Sequence, residues 1–242
     1  MTNARVTHVL LDFFGTLVDY SPSRVGQGYR RTHALAGSLG LDLPYGEFLA
    51  ETDAEFARFD ARSQLANREF SMQEMMEALL SRLLGRAPAP DRVTALVDSY
   101  IAEWNGGVVY PATTAPVINA LASQFRLAVV TNTHQADLVP SHLTALGIAA
   151  RFDLVVTSVE LGWRKPHPRI YAETLRRLGI AAPQAIFVGD TFTADYAGPR
   201  AAGIGALLLD PAGRADIPAE HRLDSLTELP AALTRFVKKG AE

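Results

Sequence analysis

The sequence predicts an α/β protein, a parallel, doubly wound sheet with a helical insert, and three observations predict it. The apolar run Val9-Leu10-Leu11 ends abruptly on Asp12 and is followed by Gly15-Thr16, as a strand covered on both faces would be. From residue 114 onward, stretches of helical spacing alternate with short apolar runs, which builds a parallel sheet with crossover helices. Residues 20–107, between these parts, carry apolar residues at helical spacing only.

In chain order, the first strand places Asp12 at its carboxyl end, where the crevice of an open α/β sheet receives ligands. Gly15 lets the chain turn sharply and bring backbone groups close to an anion. A carboxylate that only caps this turn is the alternative at this point. Val18 to Ser23 form a turn-rich hinge. Helices are expected over 24–39, 45–65, 71–84 and 89–104, separated by Gly40, Pro44, Gly85 and Pro88. Ser71 and Glu74 form a capping box at the third of these. The stripe Met72, Met75, Met76, Leu79, Leu80, Leu83 reads as core. Gly106-Gly107 and Pro111 lead out of the insert. Helix 114–124 then precedes strand 127–131, helix 135–146 precedes strand 154–156, helix 167–178 precedes strand 185–189, and helix 194–202 precedes strand 206–209. Pro199 is tolerated if it lies in a first helical turn, and the tail 238–242 is expected to fray. Right-handed crossovers put the loop after every strand on one edge. Thr131-Asn132, Arg164-Lys165-Pro166 and Gly189-Asp190-Thr191 with Asp195 therefore face Asp12.

Composition narrows the function. The 242 residues suffice for a core domain with a second, smaller one. With 23 basic and 26 acidic residues the net charge is −3, and no basic stripe suggests a nucleic-acid partner. Cysteine is absent, so disulfides, thiolate metal sites and a cysteine nucleophile are excluded. No run approaches membrane-spanning length and no signal-peptide core follows Met1. A cytoplasmic protein, monomer or homodimer, acting on a small anionic molecule is the expectation.

The strand-end residues form a chemical set. Asp12 is a candidate nucleophile, Thr131 and Asn132 supply a hydroxyl and an amide, Lys165 is a cation, and Asp190 and Asp195 are further carboxylates. Three carboxylates in one crevice raise one another's pKa unless a cation intervenes. Mg²⁺, which takes oxygen ligands, suits Asp12 and Asp190, with Asp195 orienting a bound water. Asp12 would then attack an electrophile while Thr131 and Lys165 hold the anionic group in line.

Four stretches, in this order and spacing, resemble the motifs of the haloacid dehalogenase superfamily: Leu11-Asp12-Phe13-Phe14-Gly15-Thr16, Val130-Thr131-Asn132, Arg164-Lys165-Pro166-His167-Pro168, and Val188-Gly189-Asp190-Thr191 with Asp195 and Ala202-Gly203. The resemblance implies a Rossmann-like core over 1–19 and 108–242 and a helical cap over 20–107. It also implies an aspartyl-enzyme intermediate, and a metal on Asp12, Asp190 and the main-chain carbonyl of Phe14. Substrate contacts are expected from Gly15, Thr16, Arg30 and His134, and Arg24, Arg31 and His33 are further anion readers on the cap, with Tyr20 and Phe70 as walls.

The departure lies at Phe14, where phosphatases of the family usually carry an Asp that protonates the leaving oxygen and later deprotonates water. General acid–base catalysis of this kind contributes ~10²–10⁴-fold. His134 and Asp19 are candidates to replace it. Haloacid dehalogenases of the family also carry an aromatic residue there and need no metal, but usually have Ser-Asn for Gly189-Asp190 and a Trp-Arg pair in the cap; the tryptophans here are Trp104 and Trp163. Phosphonoacetaldehyde hydrolases use a cap lysine, and lysine occurs here only at 165, 238 and 239. A Mg²⁺-dependent phosphatase is thus the first expectation, a metal-independent 2-haloacid dehalogenase the second, and a weakly catalytic ligand-binding protein the third.

Overall fold

The computed structural model describes residues 5–21 and 28–239. Pro22 and Ser23 of the expected hinge, the anion reader Arg24 and tail residues 240–242 lie outside them. The chain divides into two compact units, Met1–Asp19 with Tyr110–Glu242, and Tyr20–Val109. The described strands are β1 (His8–Leu11), β2 (Asp19–Tyr20), β3 (Val108–Val109), β4 (Arg126–Thr131), β5 (Phe152–Thr157), β6 (Ala185–Gly189), β7 (Gly205–Leu209) and β8 (Arg222–Leu223). β2 and β3 pair as a short ribbon where the chain leaves the first unit and returns to it.

The first unit is built on a six-stranded sheet of order β5-β4-β1-β6-β7-β8, parallel throughout. Sequence explains its centre. Val9, Leu10 and Leu11 are fully buried, and each such side chain contributes roughly 1.5–3 kcal/mol when taken from water. Leu11 is in register with Val129 of β4 and Val188 of β6. Asp12 and Asp190, just beyond β1 and β6, and Thr131, the last residue of β4, therefore emerge side by side at one edge. Leu10, Val130, Val156, Ile170, Tyr171 and Phe187 pack one face of the sheet into a core.

Helices Thr114–Ala122, Leu138–Ala145, Pro168–Leu178 and Leu229–Lys239 accompany the sheet. Three local outcomes differ from the sequence reading. The helix expected from 135 begins at Leu138, because Thr133 is tied into a loop: its N–H donates to Ser158 Oγ at 2.9 Å. The helix expected over 194–202 is a wide π-turn, Phe192–Ala197, followed by the short helix Gly198–Ala201. Pro199 has no N–H to donate to the carbonyl four residues back, so an ordinary α-turn cannot run through it. Lys238 and Lys239, expected in a frayed tail, end the helix Leu229–Lys239, whose Leu229, Ala232 and Leu233 are fully buried.

The second unit carries helices Arg30–Ser38, Tyr45–Ala66, Met72–Leu84 and Pro90–Asn105. The capping box forms: Ser71 Oγ accepts from Glu74 N–H at 3.1 Å, and the Glu74 carboxylate accepts from Ser71 N–H at 2.7 Å. Met72, Met75, Met76, Leu79 and Leu80 are core, with Leu83 packed at its margin. No helix among the described residues is long and apolar enough to cross a membrane.

Candidate active site

Asp12 leaves β1 with its N–H donating to Val188 O at 2.9 Å, which fixes the backbone that presents its carboxylate. The chain then folds back on itself: Leu17 N–H donates to Phe13 O and Gly15 N–H to Val18 O, both at 2.8 Å. Gly15 has φ +82°, and a side chain there would collide with the Asp190 carboxylate. Only glycine allows both the left-handed turn and the approach of Asp190.

Lys165 is the hub. Its ammonium donates to Asp12 Oδ1 at 2.7 Å and to Asp195 Oδ1 at 2.6 Å, and its side chain is 2% exposed. It also lies 4.9 Å above the Phe187 ring. The Asn132 amide grips the Lys165 backbone from both sides: Oδ1 accepts from Lys165 N–H at 2.8 Å, and Nδ2 donates to Lys165 O at 3.0 Å. A side chain expected to face substrate is thus engaged in holding the lysine. Asp195 Oδ2 accepts from Thr191 N–H at 2.9 Å, and a side chain at Gly189 would overlap Asp195. Thr16 Oγ1 lies 3.5 Å from Asp12 Oδ2, and Thr131 is buried at the end of β4.

Ligand oxygens of Asp12, Asp190 and Asp195 lie within 4.8 Å of one another. One ammonium among three carboxylates leaves two negative charges uncompensated, and the electrostatics register it. Burial pushes the Asp190 and Asp195 carboxyls above the usual carboxylate range, and the Asp12 charge adds to the effect. Burial alone would lower the pKa of Lys165, but the charges of Asp12 and Asp195 outweigh it and hold the ammonium protonated. Tyr171 is likewise pushed up by burial and by the charges of Asp195 and Asp12. An all-oxygen, net-negative donor set of this kind fits a hard divalent cation such as Mg²⁺.

A cavity of about 960 Å³ in the same unit is lined by Gly15, Thr16, Asp19, Asp190, Phe192 and Arg214, among others. His134 sits half-buried in the loop after β4. Arg30 belongs to the second unit, where its guanidinium lies 4.5 Å over the Tyr45 ring. The structure therefore brings Asp12, Gly15, Thr16, Lys165, Asp190 and Asp195 together and leaves Arg30 engaged within its own unit. Phe14 fills the position of the missing carboxylate with an aromatic side chain, its ring edge-on to Phe13 at 4.9 Å and to His142 at 6.0 Å. Neither His142 nor Tyr110, which it meets at 2.7 Å, was singled out by sequence reasoning. No pattern around them sets them apart from ordinary helix and loop residues.

Residues 6–203 match the family model of haloacid dehalogenase-like hydrolases. Over 114 residues the chain is 42% identical to the human haloacid dehalogenase-like hydrolase domain-containing protein 3, a stretch covering 45% of each chain, so it spans less than half of that relative. It is 33% identical over 235 residues, 94% of its length and 93% of the relative's, to a plasmid-encoded phosphoglycolate phosphatase of Cupriavidus necator. Among solved structures, a 2-haloacid dehalogenase from Pseudomonas syringae pv. Tomato superposes with a TM-score of 0.72 at 25% identity, covering 96% of this chain and 99% of the other.

Proposed function

The chain belongs to the haloacid dehalogenase-like hydrolases, and from that premise we propose that it is a Mg²⁺-dependent phosphatase of a small phosphorylated metabolite, with Asp12 as nucleophile. The observation that carries this reading is the cluster of three carboxylates around one ammonium, with surplus negative charge. A metal-independent dehalogenase has no use for that surplus. Gly189-Asp190 supports the same choice, as does the name of the Cupriavidus relative, which matches nearly the whole chain.

Lys165 holds Asp12 Oδ1, which leaves Oδ2 to attack phosphorus. The Asp12–phosphorus bond forms as the bond from phosphorus to the leaving oxygen breaks. Water then attacks the same phosphorus, releasing phosphate and restoring the Asp12 carboxylate. Two of the three Lys165 N–H groups bind carboxylates, and the third is available to a phosphoryl oxygen. Thr131, Gly15 and Thr16 line the approach to that oxygen. When bound by Asp12, Asp190, the Phe14 carbonyl and an Asp195-oriented water, Mg²⁺ supplies charge neutralisation and polarises the phosphoryl group.

Phe14 cannot carry the proton of the leaving group. Asp19 lines the same cavity as Asp190, Gly15 and Thr16, which favours it over His134 as the replacement. The first test is phosphate release from p-nitrophenyl phosphate with Mg²⁺ and then with a chelator. Turnover that requires the metal supports the reading, whereas metal-independent halide release from 2-chloropropionate would replace it. Asp19→Asn should slow hydrolysis of alkyl phosphates by ~10²-fold or more and leave p-nitrophenyl phosphate, whose leaving group needs little protonation, nearly untouched. Equal effects on both substrates would remove Asp19 from the chemistry.

A further inference from the structure

Tyr171 lies outside the reacting groups, yet it is fully buried and its hydroxyl donates to the Ala194 carbonyl at 2.6 Å. Ala194 sits inside the π-turn Phe192–Ala197, immediately before Asp195. Lys165 and Tyr171 flank the start of one segment, the Lys165-Pro166 turn and the helix Pro168–Leu178; Ala194 and Asp195 belong to the other. Two bridges therefore join the same two segments, one ionic at 2.6 Å from Lys165 to Asp195 and one neutral from Tyr171 to Ala194. Around the second bridge the packing leaves no slack. A side chain at Gly198 would collide with the Tyr171 hydroxyl and come within 3.1 Å of Pro166. The Tyr171 ring also meets Phe187 edge-on at 6.0 Å, the ring over which Lys165 lies.

A π-turn is an uncommon conformation that occurs frequently at functional sites. In a π-turn a carbonyl accepts from the N–H five residues on, and for Ala194 that residue is Pro199, which has no N–H to give. Given the metal-centred reading above, on which this rests, we propose that Tyr171 is a positioning residue: with Gly198 as its seat, its bond to Ala194 sets the π-turn that aims Asp195 at Lys165 and the metal. Groups that orient a ligand without touching the metal typically change its affinity 10–100-fold when removed.

The test is Mn²⁺ binding to the substrate-free protein, followed by electron paramagnetic resonance, with thermal unfolding and steady-state kinetics alongside. Tyr171→Phe should remain cooperatively folded, bind Mn²⁺ about 10-fold more weakly, and need correspondingly more Mg²⁺ for half-maximal activity while KM for substrate at saturating Mg²⁺ stays unchanged. Gly198→Ala, ordinarily a stabilising change inside a helix, should weaken Mn²⁺ binding from the other side. The double variant should lose less than the sum of the two, because removing the hydroxyl relieves the closest contact of the added methyl, while those with the ring carbon and Pro166 remain. Wild-type Mn²⁺ affinity in a folded Tyr171→Phe protein would overturn the proposal. A wild-type protein that binds no Mn²⁺ at all would instead overturn the metal-centred reading, and this inference with it.

Discussion

Buried and half-buried carboxylates occur in both units, and the cluster around Lys165 is treated differently from the rest. The rest includes Asp210 of the sheet unit, which accepts from Arg214 N–H at 3.0 Å, Ala215 N–H at 2.9 Å and Arg222 Nε at 3.3 Å. In the helical unit each is matched. Glu55 pairs with Arg58 and with Arg82, whose Nε lies 3.1 Å away. Glu103 accepts from Arg31 N–H at 3.0 Å, Thr32 N–H at 2.9 Å and Thr32 Oγ1 at 2.7 Å, closing the amino end of the helix Arg30–Ser38, whose own N-cap residue Tyr29 supplies no side-chain bond. Burial would raise the Glu103 pKa, but these bonds outweigh it and hold the carboxyl below its ordinary value. At the strand ends Asp12 and Asp195 share Lys165 while Asp190 adds a third charge nearby, and Asp190 and Asp195 are pushed up instead. A carboxylate whose charge is answered stabilises the fold. A cluster whose charge is left over is strained until a ligand completes it, and that is what marks a reaction centre.

The largest effect that could break this contrast is on turnover. Asp12→Asn should reduce phosphatase activity by at least about 10⁴-fold without lowering the melting temperature, since it removes one of the crowded charges. Retained activity would mean that Asp12 is not the nucleophile. Lys165→Met should act on both activity and stability: it strands two buried carboxylates, a change that typically costs about 3–5 kcal/mol. Chemical denaturation with and without Mg²⁺ would measure this, and the metal should restore part of the loss. If Lys165→Met is as stable as the wild type, the cluster does not depend on its cation.

The parts of this arrangement legible in the sequence are those that follow from strand ends. A Val-Leu run stopping at Asp12, and similar runs stopping at Thr131 and Asp190, fix which loops meet once the sheet is parallel, and the order of strands does the rest. Asn132 was visible as a residue but not in its role, because its grip on Lys165 depends on the shape of a loop 33 positions away. The same holds for Glu103, which caps a helix 71 and 72 residues earlier in the chain. The π-turn was hidden for a different reason: its apolar spacing over so few residues does not differ from that of an α-helix, and only Pro199 hinted at the interruption.

A smaller effect tests the helical unit. Glu103→Ala should destabilise the protein by about 1–2 kcal/mol, the usual loss for removing a side-chain cap, and should leave Mg²⁺ binding unaltered. Because the folded pKa of Glu103 is depressed, its contribution is complete above the unfolded value of 4.5 and is lost as pH falls through the folded value. The gap in denaturation midpoint between wild type and Glu103→Ala should therefore be constant at neutral pH and close in acid. A gap that persists unchanged below the folded pKa would show that the cap does not depend on the carboxylate charge.

The smallest effect carries the opposite sign. Asp190 is on the exposed side of the cluster, its carboxylate accepts from the Thr191 hydroxyl at 3.3 Å and packs close on Gly15, and burial and the charge of Asp12 push its pKa up. Asp190→Asn keeps the shape and removes the repulsion, so in the presence of a chelator the variant should be slightly more stable than the wild type, by less than about 1 kcal/mol. Adding Mg²⁺ should reverse the order, because the wild type gains stability from a bound ion in proportion to its affinity while the variant has lost a ligand. Thermal denaturation of both proteins across a Mg²⁺ titration would show the two curves crossing. Parallel curves would mean that Asp190 answers to the fold in the way Glu103 does, and the distinction between the cluster and the answered carboxylates would fail at the residue where it is drawn most finely.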